Sequence, residues 1–180
     1  MNALVALADG FETVEALMTV DILRRGGVEV TTASISDSTE VVSAQDIKVT
    51  ADTLLQGQKA ADYDVFILPG GQPGTTNLSQ NDDVKRLLEE AKTAGKKIAA
   101  ICAAPTVFGQ YGYLQGKKAC CYPGLEEQLL GAEVTMDAVT VDGDVITSRG
   151  LGTALDFALA ILEEISSHAK AAMIRKSVVA

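Results

Sequence analysis

The segment KKIAAICAAP, residues 96–105, places a cysteine among alanines where a strand-like run ends and a helix is expected to begin. A nucleophile at such a turn needs small neighbours, because its backbone is strained and its flanks lie against the sheet. Unpaired N–H groups at the start of a helix stabilise a thiolate, so the pattern predicts a pKa for Cys102 below that of a free thiol. Two interpretations are open at this point: a reactive thiolate, or a small apolar side chain in the core.

A reactive thiolate needs a partner for proton transfer. The single histidine, His168, follows the last strongly helical segment and is expected at the surface, which argues against a papain-like Cys–His pair. Glu12 and Glu15 follow the first predicted strand, and the apolar neighbours of Glu15 predict a partly desolvated carboxyl with a raised pKa. Such a carboxyl could act as acid or base near neutral pH. The alternative is that both glutamates only stabilise the start of a helix.

Strand-like and helical segments alternate along the chain, which is typical of a parallel sheet with helices on both faces. Strands are predicted at residues 3–8, 28–35, 64–71 with a glycine-rich end, in the run before Cys102, and at 118–124. Helices are predicted at residues 12–27, 81–97, 105–114, 125–132 and 153–166.

Two further segments have hairpin character. Residues 36–58 contain strand-like patches without helical periodicity, and the Asp-Gly pair in VDGDV predicts a tight turn at residues 141–145. Thr153 and Asp156 have the spacing of a capping box for the last helix. Cys120 and Cys121 fall in the predicted strand 118–124 and are interpreted as packing residues, the alternative being that one of them resolves an oxidised Cys102.

Three turns of small residues follow three of the predicted strands. They are ADGFE at residues 8–12, LPGGQPG at 68–74 and ICAAP at 101–105. Because sites in doubly wound sheets lie at the carboxyl ends of the strands, we expect these turns to line one crevice.

Composition limits the classes of function. The 180 residues are 47% hydrophobic, enough for one domain over residues 1–180. A net charge of −9 without long basic runs argues against nucleic acid and anionic membranes as partners. The apolar runs are too short to span a bilayer, the first residues do not resemble a signal peptide, and three cysteines are best interpreted as reduced thiols. A cytoplasmic protein is therefore expected.

Four blocks of the sequence resemble the ThiJ/PfpI family, also called the DJ-1 superfamily. They are ADGFETVEALMTVDILRRGG, DVFILPGGQPGTTNL, IAAICAAPTVFGQYGYLQGKKA and VITSRGLGTALDFALAILE, and they occur in this order over nearly the whole chain. The combination of G-F-E-x-x-E, L-P-G-G, A-I-C-A-x-P and T-S-R-G-x-G is specific, and it is closer to the ThiJ and DJ-1 branch than to the PfpI peptidase branch.

The resemblance implies a flavodoxin-like α/β fold, a three-layer sandwich of the class I glutamine amidotransferase-like type, and a homodimer. Cys102 falls on the family's nucleophile. Glu15 falls on its buried glutamate, which is expected to be protonated and to donate a hydrogen bond to the thiolate. Gly71 and Ala103 fall on the backbone N–H groups of the oxyanion hole.

The sequence departs from the family pattern at one position. Many members have a histidine before a proline after the elbow helix, whereas here Tyr122 precedes Pro123. A phenol with a pKa near 10 is a poor base at neutral pH, which counts against peptidase or amidase chemistry. Arg149 in TSRGLG is a further candidate to line the crevice and attract an anionic ligand, the alternative being a structural salt bridge.

A thiolate beside a protonated carboxyl suits addition to an aldehyde better than amide cleavage. The resemblance implies a glutathione-independent glyoxalase that acts on a small 2-oxoaldehyde such as methylglyoxal, with a related protein deglycase activity, and requires no cofactor or metal. The alternative is an oxidative-stress sensor in which Cys102 is oxidised to a sulfinic acid. A role in thiamine precursor metabolism is a further alternative, but no phosphate-binding motif supports it.

Overall fold

The computed structural model describes all 180 residues and contains eleven strands. In chain order they are β1 (Asn2–Leu7), β2 (Glu29–Ser34), β3 (Glu40–Val42), β4 (Lys48–Thr50), β5 (Thr53–Leu54), β6 (Val65–Leu68), β7 (Lys97–Ile101), β8 (Lys118–Ala119), β9 (Glu133–Val134), β10 (Val139–Asp142) and β11 (Val145–Ser148). Seven of them form one sheet in the order β10-β11-β7-β6-β1-β2-β5, and every neighbouring pair is parallel except β10 and β11.

Six α-helices connect or follow these strands. They are α1 (Thr13–Arg25), α2 (Gly74–Ser79), α3 (Asp82–Thr93), α4 (Pro105–Gln110), α5 (Ala154–Ile165) and α6 (His168–Ser177), and short 3₁₀ turns lie at 60–62, 126–128 and 151–153. Apolar residues of α1, α5 and α6 pack on one face of the sheet, and those of α3 and α4 pack on the other. None of the helices combines the length and apolar character needed to cross a lipid bilayer.

Strand β1 shows why the central strands have continuous apolar sequences. All residues from Ala3 to Leu7 are fully buried. Ala3, Val5 and Leu7 belong to the core beneath α1 and α5, while Leu4 and Ala6 belong to the core beneath α3 and α4. Successive side chains of a strand point to opposite faces, so a strand covered on both sides must be apolar at every position. The predicted three-layer sandwich with a mostly parallel sheet is therefore confirmed.

The two predicted hairpins are also present. Strands β3 and β4 pair antiparallel within the segment 36–58, and β10 and β11 pair antiparallel around the turn at Gly143. The end of the first segment departs from the prediction, because β5 leaves the hairpin and extends the main sheet beside β2. Helices α2 and α6 were not predicted.

Three predicted elements are shorter than expected. The predicted helix 105–114 ends at Gln110, because Gly112 has a left-handed φ of 76°. The predicted helix 125–132 is wrong, since only the 3₁₀ turn Glu126–Gln128 forms. The predicted strand 118–124 ends at Ala119, because the N–H of Cys120 donates to the side-chain hydroxyl of Thr147 instead of to a backbone carbonyl of a neighbouring strand.

The predicted capping box at the start of α5 is wrong. The hydroxyl of Thr153 donates to the carbonyl oxygen of Gly150 and contacts the Ser148 hydroxyl, so it does not cap the helix. The carboxylate of Asp156 forms an ion pair with Arg175 of α6. Thr153 thus fixes the connection between β11 and α5, which lies at the candidate site.

Candidate active site

The three turns of small residues converge at one edge of the sheet. They follow β1, β6 and β7, which are adjacent strands, and the connection from β11 to α5 lies beside them. Because the four strands are parallel, their carboxyl ends meet at this edge. The structure therefore brings together Cys102, Glu15, Gly71 and Ala103, the four residues that the sequence placed in one crevice.

Cys102 occupies a sharp turn between β7 and α4. Its φ of 66° lies in the left-handed region, which is unfavourable for residues other than glycine. The turn is held by two backbone hydrogen bonds. The N–H of Cys102 donates to the carbonyl oxygen of Ser148 at 2.9 Å, and the carbonyl oxygen of Cys102 accepts from the N–H of Tyr122 at 2.7 Å. The strained backbone expected of a nucleophile elbow is therefore present, and the side chain is partly exposed.

Glu15 reaches the same point from the first turn of α1. Its side chain is buried, with only 1% of the residue's surface exposed, and its Oε2 accepts a hydrogen bond from the N–H of Gly70 at 3.0 Å. The other oxygen, Oε1, is buried without a hydrogen-bond partner of good geometry. The thiol of Cys102 lies close enough to the carboxyl to share a hydrogen bond with it.

Gly70 permits this approach, because it lies between the two side chains. A Cβ atom at Gly70 would be 2.5 Å from the Cβ of Cys102 and 2.6 Å from the Oε2 of Glu15. Neither distance is compatible with any side chain at this position. The family resemblance indicated Gly71 but not Gly70, although the pair of glycines after a buried strand was a signal for both.

The backbone around the thiol supplies hydrogen-bond donors. The N–H groups of Ala103 and Gly71 both point to the sulfur of Cys102. Gly71 has a φ of 94°, and a Cβ there would collide with the backbone nitrogen of Glu12. The glycine therefore lets the turn after β6 lie against the start of α1 while its N–H group faces the thiol.

The carboxyl of Glu15 is poised near neutral pH. Burial raises its pKa from 4.5 to about 7, and the negative charge of Glu12 acts in the same direction. Hydrogen bonds from Cys102 and from the Gly70 N–H partly oppose this rise. The raised pKa predicted for Glu15 is confirmed.

The lowered pKa predicted for Cys102 is wrong. Burial raises the pKa of the thiol from 9.0 to about 12, and the charge and hydrogen bond of Glu15 add to the effect. The N–H groups of Ala103 and Gly71 oppose the rise but do not overcome it. Since the pKa values of the two groups are about 7 and about 12, the pair shares one proton between them over that pH range.

Tyr122 lies at the mouth of the site. It is 52% exposed, and its hydroxyl forms no hydrogen bond. Its ring carbon Cδ2 lies 3.5 Å from the position that a Cβ of Gly150 would occupy, and the Oε1 of Glu15 lies 3.9 Å from the same position. The side chain thus borders the space beside the carboxyl.

Arg149 precedes Gly150 and forms no salt bridge, so the structural alternative for it is wrong. Its guanidinium makes only a long contact of 3.5 Å with the carbonyl oxygen of Met136, and its charge acts on the thiol of Cys121. A role in attracting an anionic ligand stays a prediction.

The remaining candidate groups are two cysteines and the histidine. Cys121 is buried and packs into the core beneath α3 and α4, as expected of a packing residue, whereas Cys102 contacts the core beneath α1 and α5. Cys120 is fully buried beside Thr147. His168 is exposed at the start of α6, beside Glu163, as predicted. No cluster of three His, Cys, Asp or Glu side chains suited to a metal ion is found.

Comparisons with known proteins agree with this architecture. A sequence model of the DJ-1/PfpI family matches residues 1–164. Protein dj-1beta of Drosophila melanogaster is 40% identical over 177 residues, which are 97% of this chain and 95% of the relative. Its crystal structure superposes with a TM-score of 0.92 at 39% identity, covering 99% of this chain and 97% of that one.

Two further relatives differ in length and description. Glutathione-independent glyoxalase DJR-1.2 of Caenorhabditis elegans is 35% identical over 160 residues, 88% of this chain and 85% of the relative. Protein DJ-1 homolog B of Arabidopsis thaliana is 38% identical over 172 residues, 94% of this chain. The chain spans only 39% of that longer plant protein.

Proposed function

The chain belongs to the DJ-1/PfpI family, and from that premise we propose that it is a cysteine-dependent enzyme that converts 2-oxoaldehydes such as methylglyoxal to 2-hydroxy acids without glutathione. The observation that carries the proposal is the buried carboxyl of Glu15, with a pKa of about 7, held against the thiol of Cys102 over Gly70. The name of the nematode relative, a glutathione-independent glyoxalase, supports the same class of reaction.

The first step uses the single proton that the pair shares. The reactive form of the pair is the one in which this proton has moved from the sulfur of Cys102, where the higher pKa holds it near neutral pH, to Glu15. Cys102 is then a thiolate that the N–H groups of Ala103 and Gly71 stabilise. Its sulfur attacks the aldehyde carbon, the π electrons of the carbonyl move to oxygen, and Glu15 donates its proton to that oxygen. The products are a neutral hemithioacetal and a carboxylate at Glu15.

The second step is an internal oxidation and reduction. The Glu15 carboxylate removes the proton from the former aldehyde carbon, giving an enediolate, and returns it to the neighbouring carbon, while the hydroxyl proton of the hemithioacetal passes to the oxygen of that neighbouring carbon. The first carbon becomes a thioester and the second an alcohol, so the electrons balance without an external oxidant. Water then hydrolyses the thioester through an oxyanion that the N–H groups of Gly71 and Ala103 stabilise, which releases the hydroxy acid and regenerates the thiol.

The same groups disfavour amide hydrolysis. Cleavage of an amide needs a proton for the amine leaving group, which a histidine commonly supplies. His168 is exposed on α6, and the hydroxyl of Tyr122 makes no hydrogen bond that would activate it. A deglycase activity would form the same hemithioacetal from the adduct of an aldehyde with a protein amine: the sulfur of Cys102 would displace the amine from the carbinol carbon, and the amine would take the proton of Glu15.

A redox sensor is the second candidate function. The unpartnered Oε1 of Glu15 favours it, because a protonated carboxyl there could donate to an oxygen bound to the sulfur of Cys102. Two equivalents of hydrogen peroxide would oxidise the thiolate, first to the sulfenic and then to the sulfinic acid. Each peroxide would transfer one oxygen to the sulfur and leave one water. This candidate predicts oxidation of one residue per chain and no catalytic turnover.

We also propose that two copies of the chain form a homodimer and that the protein acts in the cytoplasm. A groove between α1, α5 and the end of α6 would be covered by a second copy; its apolar residues, Met18, Ile22, Leu155 and Val178, lie beside the polar residues Asp21, Arg25 and Ser177. Three free thiols fit a reducing compartment. Gel filtration would test the dimer, since a monomer elution volume would overturn it.

The test of the enzymatic proposal is the formation of lactate from methylglyoxal in the absence of glutathione. The wild type should form many molecules of lactate per chain, Cys102→Ser should form none above background, and His168→Gln should retain the wild-type rate. If the wild type forms no lactate, the proposal fails. Mass spectrometry of Cys102 after treatment with dilute peroxide then tests the sensor.

A further inference from the structure

Glu12, Glu15 and Gly70 are joined by a closed ring of three hydrogen bonds. The N–H of Glu12 donates to the carbonyl oxygen of Gly70 at 2.8 Å, and the N–H of Gly70 donates to Oε2 of Glu15 at 3.0 Å. The ring closes where the N–H of Glu15 donates to Oε2 of Glu12 at 2.7 Å. Moving any one of these residues would therefore move the other two.

The ring also sets the position of the groups around Cys102. Gly70 separates the carboxyl of Glu15 from the Cβ of Cys102, and the next residue, Gly71, directs its N–H to the sulfur. Because a Cβ on Gly71 would collide with the backbone nitrogen of Glu12, the turn and the start of α1 are in direct contact. The start of α1 thus fixes the position of the Glu15 carboxyl and, through its contact with the turn after β6, that of the Gly71 N–H group.

Glu12 brings an uncompensated negative charge to this position. Its half-buried carboxylate forms no salt bridge, and its hydrogen-bond partner is the backbone N–H of Glu15. The titratable groups that surround Glu15 are Glu12 just before α1, Cys102 on the turn after β7, and Tyr122 across Gly150. The turn after β6 contributes only backbone, and no cation acts on the carboxyl of Glu15.

We propose that Glu12 is a positioning residue of the Glu15–Cys102 pair. Its hydrogen bonds fix the carboxyl against the Gly70–Gly71 turn, and its charge increases the population of the form in which the shared proton is on Glu15 and the sulfur is a thiolate. The inference deepens the proposed function, on which its importance for turnover rests. It concerns the state of the pair before any substrate binds, so it can be tested without substrate.

The direction of the charge effect follows from distance. The carboxylate of Glu12 repels negative charge on Glu15, and it has no comparable effect on the more distant thiol of Cys102. The repulsion disfavours the form with an ionised carboxyl and a neutral thiol. The form with a neutral carboxyl and a thiolate gains population, and this is the form that attacks an electrophile.

If Glu12 only capped helix α1, its charge would have no effect on the thiolate population of Cys102. Two variants distinguish the capping role from the charge effect. Glu12→Gln keeps an oxygen that can accept from the N–H of Glu15 but removes the charge. Glu12→Ala removes both, and we expect it to lose stability as a helix cap does. Asp21→Asn on the same helix is the control, because it removes one negative charge at an exposed position far along α1.

The experiment is the rate of Cys102 alkylation by iodoacetamide as a function of pH, measured by mass spectrometry on the intact folded chain. The thiolate displaces iodide, so the rate reports the thiolate population. For Glu12→Gln we expect the alkylation rate at its plateau to fall about threefold and the acid limb to move about half a pH unit lower. Asp21→Asn should match the wild type.

A Glu12→Gln profile identical to that of the wild type would overturn the inference, as would an equal change in Asp21→Asn. A wild type that alkylates normally but forms no lactate would refute the glyoxalase proposal while leaving this test intact. Circular dichroism of each variant at each pH confirms that the folded chain is being measured. Should Glu12→Ala not fold, Glu12→Gln alone decides the outcome.

Discussion

The backbone N–H of Gly70 donates a hydrogen bond of 3.0 Å to the carboxyl of Glu15, although 55 positions separate the two residues in the chain. The contact joins the turn after β6 to the first turn of α1. It leaves the other oxygen of Glu15 without a partner and directs the carboxyl to Cys102. The chemistry that we propose depends on this junction, because it holds the carboxyl of Glu15 beside the thiol of Cys102.

Substitution of Gly70 by alanine should disable the site. The added Cβ would have to displace Cys102, Glu15 or the carbonyl of Ile101, all within 2.9 Å of its position. Gly152→Ala is the matched control, because no atom lies within 4 Å of the Cβ it would add. We expect methylglyoxal turnover to fall at least tenfold in Gly70→Ala, on the order of 1.4 kcal/mol or more in the activation barrier, and to be retained in Gly152→Ala. Equal activity in the two variants would show that the close approach is not needed.

The raised pKa of Glu15 should make the folded state less stable as the pH rises. Between pH 4.5, its ordinary pKa, and about pH 7, its folded value, the folded chain holds a proton that the unfolded chain has lost. The free energy of unfolding therefore falls through this window, by about 3 kcal/mol in total. Glu15→Gln lacks this titration. The difference in the free energy of unfolding between Glu15→Gln and the wild type should therefore shift in favour of the variant by about 3 kcal/mol between pH 4.5 and pH 8.

Urea unfolding at the two pH values measures this difference. Glu29→Gln, an exposed substitution at the start of β2, is the control, and its effect on the free energy of unfolding should be the same at both pH values. A Glu15→Gln variant whose relative stability does not change with pH would refute the raised pKa.

Removal of the Tyr122 hydroxyl should have little effect. The hydroxyl forms no hydrogen bond, and the ring is 52% exposed at the mouth of the site. We therefore expect Tyr122→Phe to turn over methylglyoxal within about twofold of the wild type, a change of about 0.4 kcal/mol. A loss of tenfold or more would mean that the phenol takes part in proton transfer and replaces the histidine that the family resemblance leads one to expect before Pro123.

The sequence was sufficient to predict the elements with strong periodicity. Local sequence patterns predicted the apolar run of β1, the amphipathic α3 and the turns after the parallel strands. The same patterns placed Cys102 and Glu15 at one edge of the sheet. Short elements were not predictable, because two-residue strands such as β5 and β8 are defined by their partners rather than by their own residues.

The pKa of the Cys102 thiol could not be predicted from the local sequence for the same reason. The start of α4 gave the expected N–H donor, but burial and the charge of Glu15 dominate the pKa of the thiol. Both depend on contacts between distant parts of the chain, as does the role of Gly70. Sequence patterns identified the residues of the site, and only the folded structure shows the burial that raises the pKa values of both groups.

The most direct test of the account is the pH dependence of kcat/KM for methylglyoxal in the wild type and in Glu15→Gln. The reactive form is the pair with one proton, so kcat/KM of the wild type should rise through about pH 7 and then remain level. In Glu15→Gln the maximum should be lower, and the rise should move above pH 9, since burial still raises the pKa of the thiol. A rise at the same pH in both proteins would contradict the central claim that Glu15 and Cys102 act as a single proton-sharing pair.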